Sequence, residues 1–274
     1  MAIKIGIIGY GAMGAAIAEG LKTKYQVLVF DKDAAKTSKC TILTVLPTLE
    51  ELLAQATTLI IAVKPQDIDR VLIKAAQVQA HQLIVSICAG IPTAYIEKQL
   101  AKAHVIRVMP NLAITANAGM TCLCKGAYST AVDLSFVQGL FSKLGKTMVV
   151  EEDRMNAVTA VSGSGPGFLF ALLKDKPRQQ WEQFISEEFV PGLVKAAEGV
   201  GFSATGAAVL AEVTASGSMS LIEKTRTSPD ILCVRVTSRG GTTEAGLAVL
   251  KGDIQNLSAA VEAARDRAEE LSKQ

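Results

Sequence analysis

The chain has 274 residues, enough for two ordinary domains, and its 49% hydrophobic but only 5% aromatic content implies an aliphatic, alanine-rich core. Its 28 basic and 26 acidic residues leave a net charge of +2 with no basic block, which excludes the electrostatic footprint of a nucleic-acid or anionic-membrane partner. Two histidines (His81 and His104) and five cysteines without paired ligand spacing exclude a histidine-rich metal centre and point to reduced thiols in a cytoplasmic setting.

In chain order, Met1 to Leu21 begins with an early lysine and an apolar run, but Gly6, Gly9, Gly11, Gly14 and Glu19 interrupt it, so it reads as folded chain rather than a leader or a membrane span. Ile3 to Ile8 has the β-branched character of a buried parallel strand. It runs into Gly9-Tyr10-Gly11-Ala12-Met13-Gly14, then a helix to about Lys22, then a second apolar strand, Gln26 to Phe30, ending at Asp31. Strand, glycine turn, helix, strand and acid in this order make the dinucleotide-binding fingerprint in its required context. Gly9 makes the tight turn, Gly11 admits the pyrophosphate and Gly14 allows close helix–strand packing, with Ala12 and Met13 opening the helix. Asp31 suits the ribose hydroxyls of NADH, whereas Lys32 beside it could admit the 2′-phosphate of NADPH; both cofactors stay open.

Strand–helix alternation continues. Strands are expected at 41–45, 58–63, 82–87, 105–108, 119–124 and 146–150, and helices at 48–54, 66–76, 92–100 and 131–144. Strand ends carrying Lys64-Pro65, Cys88-Ala89-Gly90 and Met109-Pro110-Asn111 fall where a doubly wound sheet places ligand loops. Lys64 reads equally as a phosphate-binding or a surface lysine, and Asn111 as a nicotinamide partner or an Asx turn. Residues 1–150 are thus expected to form an α/β dinucleotide-binding domain.

After Glu151 strand signals vanish, and residues 151–274 read as an all-helical domain. Helices are expected over 153–161, 168–173, 181–200, 204–224, from Ser228-Pro229-Asp230, and from about Ile254, with a break at Ser162-Gly163-Ser164-Gly165-Pro166 and another at Pro191-Gly192. Leu257, Ala260, Val261, Ala264, Ala268 and Leu271 share one apolar face of the last helix. A lobe this apolar implies burial against a second copy, hence a homodimer or a larger assembly. Between helices lies Thr237-Ser238-Arg239-Gly240-Gly241-Thr242-Thr243, a hydroxyl-rich glycine turn suited to holding a small carboxylate at a helix N-terminus; a plain helix cap at Thr242 or Thr243 is the bland alternative.

Val63-Lys64-Pro65-Gln66, Val85 to Ile91, Arg107 to Asn111, Ala157 to Pro166 and Val236 to Thr243 occur in one order, and with the N-terminal fingerprint the chain resembles pyrroline-5-carboxylate reductase over nearly its whole length. The resemblance implies a Rossmann-type doubly wound sheet with a helical C-terminal dimerisation domain, an active site at the domain junction, and reduction of 1-pyrroline-5-carboxylate to L-proline with NADH or NADPH. It assigns Ala62, Val63, Lys64, Pro65, Cys88, Ala89, Gly90 and Asn111 to the cofactor. It assigns Ser238, Gly240, Gly241, Thr242 and Thr243 to the substrate carboxylate, with Thr243 nearest the imine nitrogen. Ser162 to Gly165 reads as a close-packed hinge or a pocket wall. Three features depart from the family pattern: Arg239 stands in place of proline, Leu112-Ala113 in place of Thr-Pro, and extra length lies around Lys174 to Ile185. Reduction of another small cyclic imine or keto acid, or non-catalytic nucleotide binding, are the competing readings.

Overall fold

The computed structural model describes residues 3–38, 40–41, 43–77 and 82–273, which divide into two compact units: residues 1–108 with 123–152, and residues 109–122 with 153–274. In the first unit, β1 (Lys4–Ile8), α1 (Ala12–Leu21), β2 (Gln26–Phe30), α2 (Ala34–Thr37), β3 (Thr44–Val45), α3 (Leu49–Gln55) and β4 (Thr58–Ile61) follow in turn. α4 (Ile68–Gln77), β5 (Leu83–Ser86), α5 (Thr93–Gln99), β6 (Val105–Pro110), β7 (Gly119–Lys125), α6 (Ala131–Phe141) and β8 (Gly145–Val149) complete the α/β elements, β6 and β7 running on into the second unit. The sheet order is β3-β2-β1-β4-β5-β6-β7-β8 and β1 to β6 are parallel, so the strand order reverses between β1 and β4 as in a doubly wound sheet. β7 turns antiparallel to β6, since the Asn111 amide donates to Met120 O and the Gly126 amide to Val105 O. Ile5, Ile7, Val29, Ile60, Val85 and Ile106 are buried along the central strands, as parallel strands covered on both faces require.

The expected strands and helices of this unit are present with end shifts of a few residues. Two differences have local causes. Asp33 accepts the Ala35 amide and caps a short helix, α2, that Asp31 to Lys36 had not suggested. The strand expected at 41–45 is limited to Thr44–Val45, and Ile42 lies outside the described residues, as does His81.

The second unit is helical apart from the ends of β6 and β7. The helix of α7 (Met155–Val158) does not break at Ser162 to Pro166; it widens through a π-helical turn, Thr159–Gly163, into α8 (Gly165–Leu173). Pro166 lacks an N–H and its ring would meet the carbonyl four residues back. One extra residue in the turn, with the Ser164 amide donating to Thr159 O at 2.8 Å, removes that conflict. The same device carries α9 (Trp181–Phe184) through a π-helical turn at Ile185–Phe189 into α10 (Val190–Gly199), so Pro191 does not interrupt that helix either. Glu152–Leu173 is long and apolar enough to cross a membrane, but 83% of its apolar stretch is buried in the protein, as for a core helix. α11 (Ala204–Thr225), α12 (Pro229–Val236), α13 (Thr242–Leu250) and α14 (Leu257–Ser272) follow. On α14, Leu257, Ala260, Val261, Ala264 and Ala268 are buried as the periodicity requires, and Leu271 is half-buried.

Candidate cofactor and substrate sites

Register brings the carboxyl ends of three strands level: Ile8 pairs with Phe30 and with Ile61. The Gly9 amide then donates to Phe30 O and the Ala62 amide to Ile8 O, both at 2.8 Å. A cavity of about 570 Å³ opens at these ends, where a doubly wound sheet takes its ligand. Gly9, Gly11, Asp31, Lys32, Ala62, Val63 and Lys64 all line it, as the sequence expected.

The three fingerprint glycines differ physically. Gly9 has φ +99° and a Cβ there would stand 2.6 Å from Ala62 O, while a Cβ on Gly14 would collide with Gly9 O. A Cβ on Gly11 would meet nothing within 4 Å, so packing within the protein does not require glycine there and the edge is open to an incoming group. Gly11 is the N-cap of α1 and no side chain bonds the first amides of the helix, which Ala12 and Met13 begin. An open edge with unpaired amides fits a pyrophosphate.

The acid end is more cationic than Asp31 alone suggested. Asp31 accepts the Tyr10 amide at 2.7 Å on one oxygen and the Asp33 amide at 2.9 Å on the other, and Lys36 Nζ lies 3.4 Å from both. Lys32 Nζ donates to Asp67 at 2.6 Å, and this contact holds the Asp67 carboxyl below its usual range. Lys32, Lys36, Lys64 and Arg70 therefore face Asp31 and Asp67 around the cavity. Lys36 and Arg70 were missed because both sit on polar helix faces whose bland reading is solvation.

The remaining expected cofactor residues stand elsewhere. Pro65 begins a short 3-10 turn capped by Lys64. Cys88, Ala89 and Gly90 do not line the cavity; the Cys88 thiol donates to Val63 O at 3.3 Å, tying the ends of β4 and β5, and burial pushes it up to about 11. Asn111, in the second unit, makes the Asx turn: its Oδ1 accepts the Ala113 amide at 3.3 Å and the Met120 amide at 3.2 Å, and its buried Nδ2 has no partner among the described residues.

In the second unit the glycine turn is built differently from expectation. Gly240, at φ +69°, donates its amide to the Glu244 carboxylate at 2.6 Å, and its carbonyl accepts from Arg267 Nε at 2.8 Å. The Gly241 amide donates to Ser238 O at 3.0 Å. Both glycine amides are thus spent within the turn. Gly241 is the N-cap of α13 and no side chain caps the helix, so the amides left open at this end are the first of α13, those of Thr242 and Thr243. Neither threonine is a cap. Their hydroxyls instead converge on the buried Ser164, Thr242 Oγ1 at 3.0 Å and Thr243 Oγ1 at 3.2 Å. Gly167 makes the approach possible, because a Cβ there would lie 2.6 Å from Thr243 Cγ2. Ser238 and Arg239 are exposed at the tip. Among the described residues no cluster of His, Cys, Asp or Glu could hold a metal, and all five cysteines are free thiols.

A glycine-edged cavity that sets charged side chains against an apolar lining in one unit, and a hydroxyl-lined helix N-terminus in the other, agree with what the chain is similar to. It is 33% identical to pyrroline-5-carboxylate reductase of Mycobacterium tuberculosis, over 98% of this chain and 96% of that one. It is 34% identical to the enzyme of the same name from Synechocystis over the full length of both. The chain belongs to the pyrroline-5-carboxylate reductase family. Residues 186–271 match the family model for pyrroline-5-carboxylate reductase dimerisation, and residues 4–90 the model for NADP oxidoreductase, coenzyme F420-dependent. Among solved structures, pyrroline-5-carboxylate reductase from Coxiella burnetii is similar with a TM-score of 0.66 and 28% identity over all of both chains. The pyrroline carboxylate reductase of Plasmodium falciparum with NADP bound is similar with a TM-score of 0.64 and 25% identity over 98% of each. Of the neighbours of Thr242 and Thr243, Ser164 falls in the run that the sequence offered as a hinge or pocket wall, whereas Gly167 was not singled out. Their signal was present in Ser162 to Gly167, a small-residue run inside an otherwise apolar helix.

Proposed function

We propose that the chain catalyses reduction of 1-pyrroline-5-carboxylate to L-proline with NADPH or NADH, in proline biosynthesis. The observation that carries this reading is the start of α13, where unpaired amides meet a buried hydroxyl cluster at Thr242, Thr243 and Ser164. The amides and the positive end of the helix suit the substrate carboxylate, with Ser238 at the mouth and Gly240 and Gly241 shaping the turn. The Thr243 hydroxyl then stands within the same helical turn, where it orients the ring and serves the imine nitrogen. When bound, the reduced nicotinamide supplies the hydride that the imine carbon accepts. Gly9, Gly11, Ala12, Met13 and Gly14 hold the pyrophosphate, Asp31 and Lys32 the adenosine ribose, and Ala62 to Pro65 the floor. Cys88 to Gly90 support that floor from beneath, and Asn111 Nδ2 remains as a donor.

Of the two cofactors we favour NADPH, because four cationic side chains against two carboxylates leave an excess of positive charge matched to a 2′-phosphate. Residues 1–150 serve the cofactor, and residues 151–274 serve the substrate and a homodimer in a reducing cytoplasm, in line with the match to the dimerisation family. The test is loss of reduced-nicotinamide absorbance with 1-pyrroline-5-carboxylate, beside other cyclic imines and small keto acids. Turnover of the pyrroline above the panel, faster with NADPH than NADH, is the expected result. Cofactor binding without turnover of any substrate would defeat it.

A further inference from the structure

We propose that Ser164 is a positioning residue that links Thr242 to Thr243 in a hydroxyl relay, delivering a proton to the substrate nitrogen. This rests on the reductase reading above. Ser164 is fully buried; its hydroxyl accepts from Thr243 Oγ1 at 3.2 Å and shares a hydrogen bond of either direction with Thr242 Oγ1 at 3.0 Å, so the Thr243 bond reverses when Thr243 turns its proton to the substrate. A hydroxyl donates one proton and accepts through two lone pairs, so three in a row can all reverse direction together. The two ends differ in access: Thr243 is 5% exposed, whereas Thr242 is only partly buried and reaches solvent. Three features hold the middle member in place. The π-helical turn fixes Ser164 through the Thr159 carbonyl, the first turn of α13 carries both threonines, and Gly167 clears room for the Thr243 methyl. Both partners of Ser164 lie on the first turn of α13, so the three hydroxyls form one continuous row.

The chemistry supplies a reason for such a chain. A cyclic imine is protonated in acid and neutral in base. When hydride from the reduced nicotinamide adds to the neutral imine carbon, the π pair of C=N moves to nitrogen, which must gain a proton to become the amine. Thr243 Oγ1 gives that proton and takes one from Ser164 Oγ; Ser164 takes one from Thr242, and Thr242 from water. The nicotinamide is oxidised, the imine reduced, and one solvent proton is consumed. Without the relay only the pre-protonated imine reacts well, so the need for Ser164 grows with pH.

The experiment compares the wild-type enzyme with Ser164→Ala and Ser164→Thr, measuring kcat and KM for 1-pyrroline-5-carboxylate at pH 6 and at pH 8.5, with melting temperature as a control on folding. For Ser164→Ala the ratio of kcat at the higher pH to that at the lower should fall about tenfold or more, with KM changed by no more than about twofold. Ser164→Thr keeps the hydroxyl and should restore the ratio; should it fail to fold, Thr242→Val, which cuts the solvent end, serves instead and should reproduce the loss. A Ser164→Ala enzyme that slows equally at both pH values, or only loses melting temperature, overturns the relay while leaving the reductase reading intact. No turnover by the wild type would overturn the reductase reading instead.

Discussion

At the scale of single residues, glycines separate structure from ligand. Gly14 sits under Gly9 O, so Gly14→Ala should lower the melting temperature, by an amount typical of overpacking at about 1–3 kcal/mol. Gly11 faces open space, so Gly11→Ala should melt within a degree or two of the wild type yet bind NADPH about tenfold more weakly. Calorimetric titration beside a thermal melt checks both, and a Gly11→Ala protein with undiminished affinity would remove the pyrophosphate from this edge. Charge makes a second prediction here. Lys36→Ala and Arg70→Ala should weaken binding of 2′,5′-ADP by about tenfold each while leaving 5′-AMP nearly unchanged. Equal effects on the two nucleotides would mean that these cations neutralise Asp31 and Asp67 and nothing more.

Among elements, one polar network deep in the first unit sets a pH response. Glu152, just past β8, accepts from Arg107 of β6 and from the Thr93 hydroxyl at 2.8 Å and amide at 3.2 Å, at the start of α5. Burial alone would raise its carboxyl, but the Arg107 charge and these hydrogen bonds outweigh burial and hold it below its ordinary value. A carboxyl depressed on folding adds stability that is complete above the unfolded-state value and is lost as pH falls through the folded-state one. The urea midpoint should therefore hold from pH 7 down to about 5 and drop below about 4.3. Arg107→Met should flatten that drop and cost about 2–3 kcal/mol at pH 7, less than a fully buried pair because Glu152 is 34% exposed. Strand–turn–helix order was readable because β-branched runs and glycines carry it locally, as Gln26–Phe30 shows. The π-helical turns before Pro166 and Pro191 were not, because proline ordinarily breaks a helix and only the surrounding packing reveals the alternative. The glycine turn before α13 was legible as a turn into a helix, but not that Glu244 would take the Gly240 amide, since a pairing across one turn depends on a side-chain rotamer.

For the molecule as a whole, α12 presents Ile231 and Val234, the latter 74% exposed, in the region matched by the dimerisation family. If a second copy covers them, Val234→Arg should shift sedimentation from dimer towards monomer and lower the melting temperature at dilute concentration. An unchanged sedimentation coefficient would place the interface on another face. The polypeptide crosses from one compact unit to the other three times, after residues 108, 122 and 152. No single cut in the gene therefore separates the two units: a fragment ending at residue 108 lacks β7 and β8, one beginning at 123 carries β8 with only the end of β7, and a cut after 152 takes residues 109–122 away from the second unit. Exchange of the first unit alone between relatives would need three coordinated junctions, after residues 108, 122 and 152. Chimeras of this family should accordingly tolerate swaps of short loops at the cavity far better than a single-crossover graft.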